Sequence, residues 1–185
     1  MRVIGGSAKG VRLGQVPGGT RPLTDRAREG LFSSLGPERI EGARVLDLFA
    51  GTGAVGIEAL SRGAASGVFV DSAPKAARVI TENLRRARLS AQATVRRQDA
   101  RRALEGLSAA GERFDLIVMD PPYLTPPAEL DPVLADLAAR GLVAAGGAVV
   151  LTRSTRSYTP VIPLDWLLER RLSYGDAVVL VLQTP

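Results

Sequence analysis

Asp47-Leu48-Phe49-Ala50-Gly51-Thr52-Gly53-Ala54-Val55-Gly56 ends an apolar run that starts at Arg44 and leads into an apolar helical pattern. Its last six residues fit G-x-G-x-x-G in the strand–loop–helix setting that this motif needs. Glycines there let a ligand lie against the backbone and let the helix pack close to the strand. Asp71 closes the next strand, 20 residues after Gly51, where a carboxylate accepts hydrogen bonds from both ribose hydroxyls. The fingerprint alone is ambiguous between nicotinamide and adenosyl cofactors. Asp47 tips the choice. A carboxylate at the end of the first strand disfavours a pyrophosphate and suits an ammonium, such as the methionine end of S-adenosylmethionine. The plainer alternative is that Asp47 only ties down the loop. Asp99 stands where an adenine amine would lie if the ribose rests on Asp71. It is also a natural N-cap for the helix that begins at Ala100, and the two roles are compatible.

Outward from this loop, residues 45–183 alternate apolar strand runs with helical patterns, the mark of a mostly parallel sheet wrapped by helices. The predicted strands are Arg44–Phe49, Gly67–Asp71, Ala93–Gln98, Phe114–Asp120 and Gly147–Thr152. The predicted helices are Ala54–Arg62, Pro74–Leu89, Ala100–Ala109 and Pro127–Arg140. In the second, Ala73, Ala77, Ile80, Leu84 and Ala87 share one face. Glu169–Tyr174, Gly175-Asp176 and Ala177–Gln183 read as a hairpin that adds an antiparallel strand at the C-terminal end of the sheet. Residues 1–44 are rich in Gly, Pro and Arg and read as a short hairpin followed by a helix. Thr24 caps that helix, Ala27, Leu31, Phe32 and Leu35 form its apolar stripe, and Gly36-Pro37 stops it. The division is residues 1–44 as an N-terminal extension and 45–185 as a Rossmann-like α/β domain.

The 185 residues contain neither Cys nor His. That excludes disulfides, thiolate and imidazole metal sites, Cys nucleophiles and His acid–base catalysis, so no metal is expected. The net charge is +5, unevenly placed: residues 1–102 carry eighteen basic and nine acidic side chains, residues 103–185 six and ten. A basic N-terminal half suits a polyanionic partner, although 22 of the 24 basic residues are Arg, which base composition also produces. No apolar run reaches the ~18 residues of a membrane span. The first six residues are too short and glycine-broken for a signal segment, so a cytosolic location is expected.

Asp120-Pro121-Pro122-Tyr123 follows the apolar run Phe114–Met119. Two prolines at a strand end hold the backbone extended and remove two N–H donors. The Pro121 carbonyl and the Asp120 carboxylate then form an acceptor pair for an –NH₂ group, and Tyr123 offers a flat face to a base. An exocyclic base amine is a poor nucleophile because its lone pair is delocalised into the ring. Accepting hydrogen bonds from its protons localises the lone pair. As a methyl group arrives, positive charge builds on nitrogen and Asp120 stabilises it. Asp120, Pro121, Pro122 and Tyr123 are therefore the catalytic candidates.

These residues resemble class I S-adenosylmethionine-dependent methyltransferases of the amino-methylating type. Arg2-Val3-Ile4-Gly5-Gly6, the segment Thr20-Arg21-Pro22-Leu23-Thr24-Asp25-Arg26-Ala27-Arg28-Glu29, Asp47–Gly53, Asp120–Tyr123 and Tyr174-Gly175-Asp176 together resemble the bacterial 16S ribosomal RNA guanine-N2 methyltransferase family, the RsmD-like one. Leu23 and Ala177 depart mildly from that pattern. The resemblance implies methyl transfer to N2 of one guanine in 16S rRNA, within an assembled or nearly assembled 30S particle; separately, nothing in the sequence suggests an obligate interface, so a monomer is expected. It implies that Asp47, Gly51 and Gly53 hold the methionine end of the cofactor, Asp71 the ribose, and Asp99 with Ala100 the adenine. Phe49, Thr52 and Ser72 complete the cofactor set. Lys9, Arg12, Arg21, Arg26 and Arg28 become candidates for RNA-backbone contact, with the alternative that Arg21 and Arg26 organise the cofactor pocket. Arg96, Arg97, Arg101 and Arg102 either extend the basic surface or form a solvated face. Rival functions are amino methylation of DNA or of protein glutamine, a nicotinamide oxidoreductase, and a non-catalytic RNA-binding assembly factor.

Overall fold

The computed structural model describes residues 1–17 and 23–185. Thr20, Arg21 and Pro22, singled out above, lie outside the described residues.

Seven strands form one sheet in the order β3-β2-β1-β4-β5-β7-β6. They are β1 (Arg44–Leu48), β2 (Ser66–Asp71), β3 (Ala93–Arg97), β4 (Phe114–Met119), β5 (Val143–Ser154), β6 (Leu167–Tyr174) and β7 (Ala177–Gln183). The first five run parallel, and β7 lies antiparallel between β5 and β6. The helices are α1 (Asp25–Leu35), α2 (Ala54–Ser61), α3 (Pro74–Ala87), α4 (Ala100–Ala109) and α5 (Pro127–Ala139). No helix among the described residues is long and apolar enough to cross a membrane.

Strand alternation splits the core in two. Val45, Leu116, Val118 and Val150 face α1, α2 and α3, while Leu46, Leu48, Ile117 and Val149 face α4 and α5. Asp47 belongs to the first face by parity with Val45. Strand β1 pairs with both β2 and β4, so its chain direction is shared by the two halves of the sheet and its carboxyl end opens at the point where the strand order reverses. Ligand crevices of doubly wound sheets form there.

Residues 1–14 are tied to this domain by buried polar contacts. The buried Glu58 carboxylate of α2 accepts the N–H groups of Ile4 and Gly5, each at 2.8 Å, and an N–H of Arg62 at 2.7 Å. Ser61 Oγ accepts from Ala8 N–H at 2.9 Å and donates to the Gly5 carbonyl at 2.6 Å. Asn83 of α3, fully buried, exchanges two hydrogen bonds with the backbone of Gly14. Val3, Ala8 and Leu13 sit in the same apolar cluster as Val45 and Ile57.

Three expectations need correction. The N-terminal hairpin is rudimentary, reduced to one bridge between Arg2 and Arg12 with short flanking bonds, because its inner edge is consumed by α2. Strand β5 begins at Val143 rather than Gly147; its register against β4 shifts between Phe114 and Leu116, and the Gly146-Gly147 pair absorbs that irregularity instead of ending the strand. The buried face of α3 is Ala76, Ile80, Asn83, Leu84 and Ala87, rotated from the predicted stripe, since a buried asparagine with backbone partners takes the place of an apolar residue. Elsewhere, Thr24 caps α1 by accepting from Ala27 N–H, and Gly36 ends it at φ +78°.

Gly6 sits at φ +75°, and a Cβ there would fall 1.7 Å from the Ser61 carbonyl oxygen. Gly6→Ala should therefore cost roughly 3 kcal/mol, combining backbone strain with a collision against backbone. Gly111 has φ +70° with open space around it, so Gly111→Ala should cost only about 1 kcal/mol. Urea denaturation of the two variants checks the docking of the N-terminal segment; equal losses would mean that it is not seated on α2.

Candidate active site

A crevice of about 370 Å³ opens at the carboxyl ends of β1 to β4, a size in the range of small-molecule pockets. Its walls bring together nearly all the predicted cofactor residues: Asp47, Phe49, Gly51 and Thr52 from the loop after β1, Asp71 and Ser72 after β2, Asp99 and Ala100 after β3. Asp120 and Pro122 form the side next to β4, and Val16 and Leu23 close it from the N-terminal segment. Pro121 is buried behind that wall, and Tyr123 is 37% exposed beside it.

The loop after β1 is built on left-handed backbone. Phe49, Gly51 and Gly53 have φ of +58°, +56° and +73°. The Asp71 carboxylate braces the turn by accepting Gly51 N–H at 2.8 Å with one oxygen, and accepts Ala73 N–H at 2.9 Å with the other. Each oxygen keeps a further lone pair for a ligand hydroxyl. Asn83 donates to the Thr52 carbonyl at 2.9 Å, so one buried amide holds the glycine loop and Gly14 together. Gly53 packs under Ile80, with space for a Cβ only 3.2 Å from Ile80 Cγ2. At Gly56 a Cβ would come within 2.4 Å of the Phe69 ring and 2.9 Å of Asp47 Oδ2. The third glycine is thus required by the approach of α2 to the sheet. Asp99 caps α4 with one oxygen, accepting from Arg101 and Arg102 N–H at 3.0 and 3.3 Å.

Asp47 is 2% exposed and accepts Gly56 N–H at 3.0 Å. Burial pushes its carboxyl well above the usual range; the Gly56 bond opposes this, and the neighbouring Asp120 and Asp71 charges add to it. Burial likewise raises Asp120 from 3.8 to about 6, opposed by a hydrogen bond from the Leu23 backbone. Among the described residues no Lys or Arg forms an ion pair with Asp47, Asp71 or Asp120. Asp47, Asp71 and Asp120, sharing one crevice with no cation paired to them among the described residues, suit a positively charged ligand.

Among the basic candidates, Lys9, Arg12 and Arg26 are exposed. Arg28 is not available to a partner, which corrects the expectation for it. Its guanidinium is fully buried and donates to the carbonyls of Leu23 and Arg2 and to Asp25. It therefore fixes Leu23, the residue that touches Asp120. Arg101 is paired with Asp136, whereas Arg97 and Arg102 are exposed. Sequence reasoning missed Glu58, Asn83, Leu23 and Arg153. The first two carried a readable signal, a polar side chain in the middle of an otherwise apolar helix face. Arg153, at 3% exposure on β5, donates to the carbonyls of Pro122, Tyr123 and Thr125.

A doubly wound sheet of this order, with a glycine loop after β1 and an acidic proline loop after β4, is the class I methyltransferase fold. The family described as conserved hypothetical protein 95 matches residues 1–183. The chain belongs to that family, and with it to the RsmD-like methyltransferases. It is similar to the putative rRNA methyltransferase YlbH of Bacillus subtilis (strain 168), 39% identical over 176 residues that make up 95% of this chain and 94% of that one. It is 32% identical over 182 residues to ribosomal RNA small subunit methyltransferase D of Escherichia coli (strain K12), covering 95% and 86% of the two chains. The solved structure of a hypothetical protein from Thermus thermophilus superposes with a TM-score of 0.82 at 38% identity, over 98% of both chains.

The raised carboxyl of Asp120 has a consequence for stability. Between 3.8 and about 6 the folded protein keeps a proton that the unfolded chain releases, so stability present below pH 4 is lost as pH rises through 6. Asp120→Asn removes this loss while its amide oxygen still accepts from Leu23. The variant should match the parent near pH 4 and melt roughly 2–4 °C or more above it at pH 8. Melting curves at both pH values test this; a constant difference would mean that Asp120 is not desolvated.

Proposed function

We propose that the protein transfers a methyl group from S-adenosylmethionine to the exocyclic N2 amine of one guanine in 16S ribosomal RNA, within the 30S particle. The observation that carries the reading is the convergence of Asp47, Asp71 and Asp120, without a cation among the described residues, on a crevice beside a left-handed glycine loop. S-adenosylmethionine supplies, when bound, a methyl group already activated on a positively charged sulfur. The residues present fit that ligand. Asp47 suits its ammonium, Asp71 its ribose hydroxyls, and Asp99 with Ala100 its adenine. A nicotinamide dinucleotide would bring its pyrophosphate to three carboxylates, which disfavours the oxidoreductase alternative.

Asp120 accepts a hydrogen bond from the target amine and localises its lone pair. It then stabilises the charge that develops on nitrogen, and takes the proton directly or passes it to water. Holding amine and methyl in line is the larger contribution, for which roughly 7–11 kcal/mol is available. With its carboxyl at about 6, Asp120 is ionised at neutral pH yet basic enough to receive that proton. Tyr123, half-exposed at the lip, supports an extruded base, which costs a few kcal/mol to unstack and least in a loop.

The RNA side of the reading is supported by the rRNA methyltransferase names of the relatives and by Lys9, Arg12 and Arg26, exposed on the basic N-terminal segment. Residues 1–44 form the RNA-facing unit and residues 45–185 the catalytic domain. The enzyme acts as a monomer in the cytoplasm.

Asp120→Ala should lower turnover 100-fold or more while S-adenosylhomocysteine binds within threefold of the parent by calorimetry. Tritiated methyl transfer to 30S particles, naked rRNA, duplex DNA and a protein glutamine substrate tests the substrate class. Nucleoside analysis of the product identifies N2-methylguanine, and a methyl group on any other acceptor overturns the assignment. Replacing Lys9, Arg12 and Arg26 singly by Ala should weaken RNA binding and reduce the slope of log K against log salt by about 1 for each lost phosphate contact. An unchanged slope would place the RNA elsewhere.

A further inference from the structure

Arg153 is a buried cation that the chemistry above leaves unused. It lies near the end of β5, two residues beyond Leu151, the register partner of Met119 at the end of β4. The parallel register therefore sets its side chain beside the chain that leaves β4, the Asp120–Tyr123 loop. Its Nη1 donates to the Pro122 carbonyl at 3.4 Å, and its Nη2 to the carbonyls of Tyr123 at 3.4 Å and Thr125 at 3.5 Å. These are long bonds, but three carbonyl dipoles turned toward one cation act together. The Tyr158 ring covers the guanidinium at 5.0 Å. Tyr158 donates in turn to Asp131 at 3.3 Å, and Ser157 Oγ donates to the Tyr123 carbonyl at 3.1 Å. No carboxylate forms an ion pair with Arg153 among the described residues, and its Nε has no hydrogen-bond partner there.

A guanidinium buried at 3% exposure with no carboxylate contact is a costly residue to keep for packing alone. An apolar side chain would fill the same space, on the strand face that also carries the buried Val149 and Leu151. What an apolar residue cannot do is gather three carbonyls spread over four residues of a loop. That loop needs such a device, because its two prolines have no N–H to anchor it to neighbouring strands. The carbonyls of Pro122 and Tyr123 are drawn to Arg153, whereas no donor among the described residues engages that of Pro121.

We propose that Arg153 is the positioning residue of the methyl-acceptor half of the site, fixing the Asp120–Tyr123 loop through the carbonyls of Pro122, Tyr123 and Thr125. The proposal rests on the reading of that loop as the amine-binding element. A lysine cannot replace it, since one ammonium does not present the planar fork that spans these carbonyls.

The test compares Arg153→Met and Arg153→Lys with the parent enzyme. Amide exchange of residues 123–125 should rise 10-fold or more in Arg153→Met, while exchange in β1 and α2 stays unchanged. S-adenosylhomocysteine affinity should remain within twofold, turnover on 30S particles should fall 30-fold or more, and the KM for particles should move less than fivefold. Arg153→Lys keeps the charge and should recover less than a tenth of the lost turnover. Unchanged exchange together with parental turnover in Arg153→Met overturns the proposal. If Arg153→Met does not fold, Arg153→Lys decides alone: parental exchange and turnover overturn it, and loosened 123–125 amides with intact cofactor affinity uphold it. The exchange and affinity measurements need no methyl transfer. A parent enzyme inactive on every acceptor would therefore sink the methyltransferase reading, while the exchange data still decide the role of Arg153 in the loop.

Discussion

The structure is organised around a carboxyl group that has been taken out of water with no basic partner among the described residues. Asp47 lies on the α2 face of the sheet, 2% exposed, held by the N–H of Gly56 and repelled by Asp71 and Asp120. Burying a carboxyl in this way opposes its ionisation and costs folding free energy, and the cost falls on the apolar clusters on both sides of the sheet. The glycine at position 56 is what lets the helix deliver its N–H to that carboxylate; any side chain there would displace either the Phe69 ring or Asp47 itself. On the proposed function the same site favours a cationic ligand, because binding relieves repulsion that no cation among the described residues relieves. A destabilised site in a well-packed frame is a common arrangement where function demands it.

The N-terminal segment is the second dependency, and it shows what the family-specific residues do. Ile4 and Gly5 end on the Glu58 carboxylate, Gly6 crosses against the carbonyl of Ser61, and the Tyr174 hydroxyl occupies the space that a side chain at Gly30 would need. These are seating contacts. They carry residues 1–14 across α2 and α3, and Arg28 then anchors Leu23 over the crevice. Among the described residues that carry the family resemblance, Ile4, Gly5 and Gly6 attach this segment and Arg28 fixes Leu23. The residues that do the proposed chemistry are those shared with many methyltransferases.

Much of this was legible in the sequence, and the misses have a common physical cause. Continuous apolar runs gave the strands, because parallel strands covered on both faces need little polar surface. The spacing of Asp47, Gly51, Gly53 and Asp71 gave the crevice, because a backbone-lined turn tolerates few other residues. What escaped was the partner of each buried polar group. Nothing local in Arg28 distinguishes a cation that meets RNA from one that satisfies the carbonyls of Leu23 and Arg2, 5 and 26 residues away. Arg153 closes a contact over 28 to 31 residues, which only the register of β5 on β4 creates. Asn83 was readable as an oddity in an apolar stripe, but its tie to Thr52 depends on how α3 lies over the glycine loop. Periodicity reports which face of an element is buried; it does not report what that face meets.

The distribution of charge bears on how such a site would sort its substrate. The crevice floor is acidic, and Lys9, Arg12 and Arg26 stand exposed on the basic segment that also supplies Leu23 to the crevice wall. A phosphodiester is disfavoured beside the buried carboxyls of Asp47 and Asp120, whereas on the proposed reaction the uncharged edge of a guanine is not, and its amine protons find acceptors there. Phosphates instead meet cations in high-dielectric surroundings, where attraction is screened within about 8 Å at physiological salt and so acts close to its source. On the proposed reaction, backbone and base of the same nucleotide are therefore pulled apart by fields of opposite sign. Part of the work of extruding the base is then done by the electrostatic contrast between rim and floor, a contrast that follows from the carboxylates of Asp47 and Asp120 having no basic partner among the described residues.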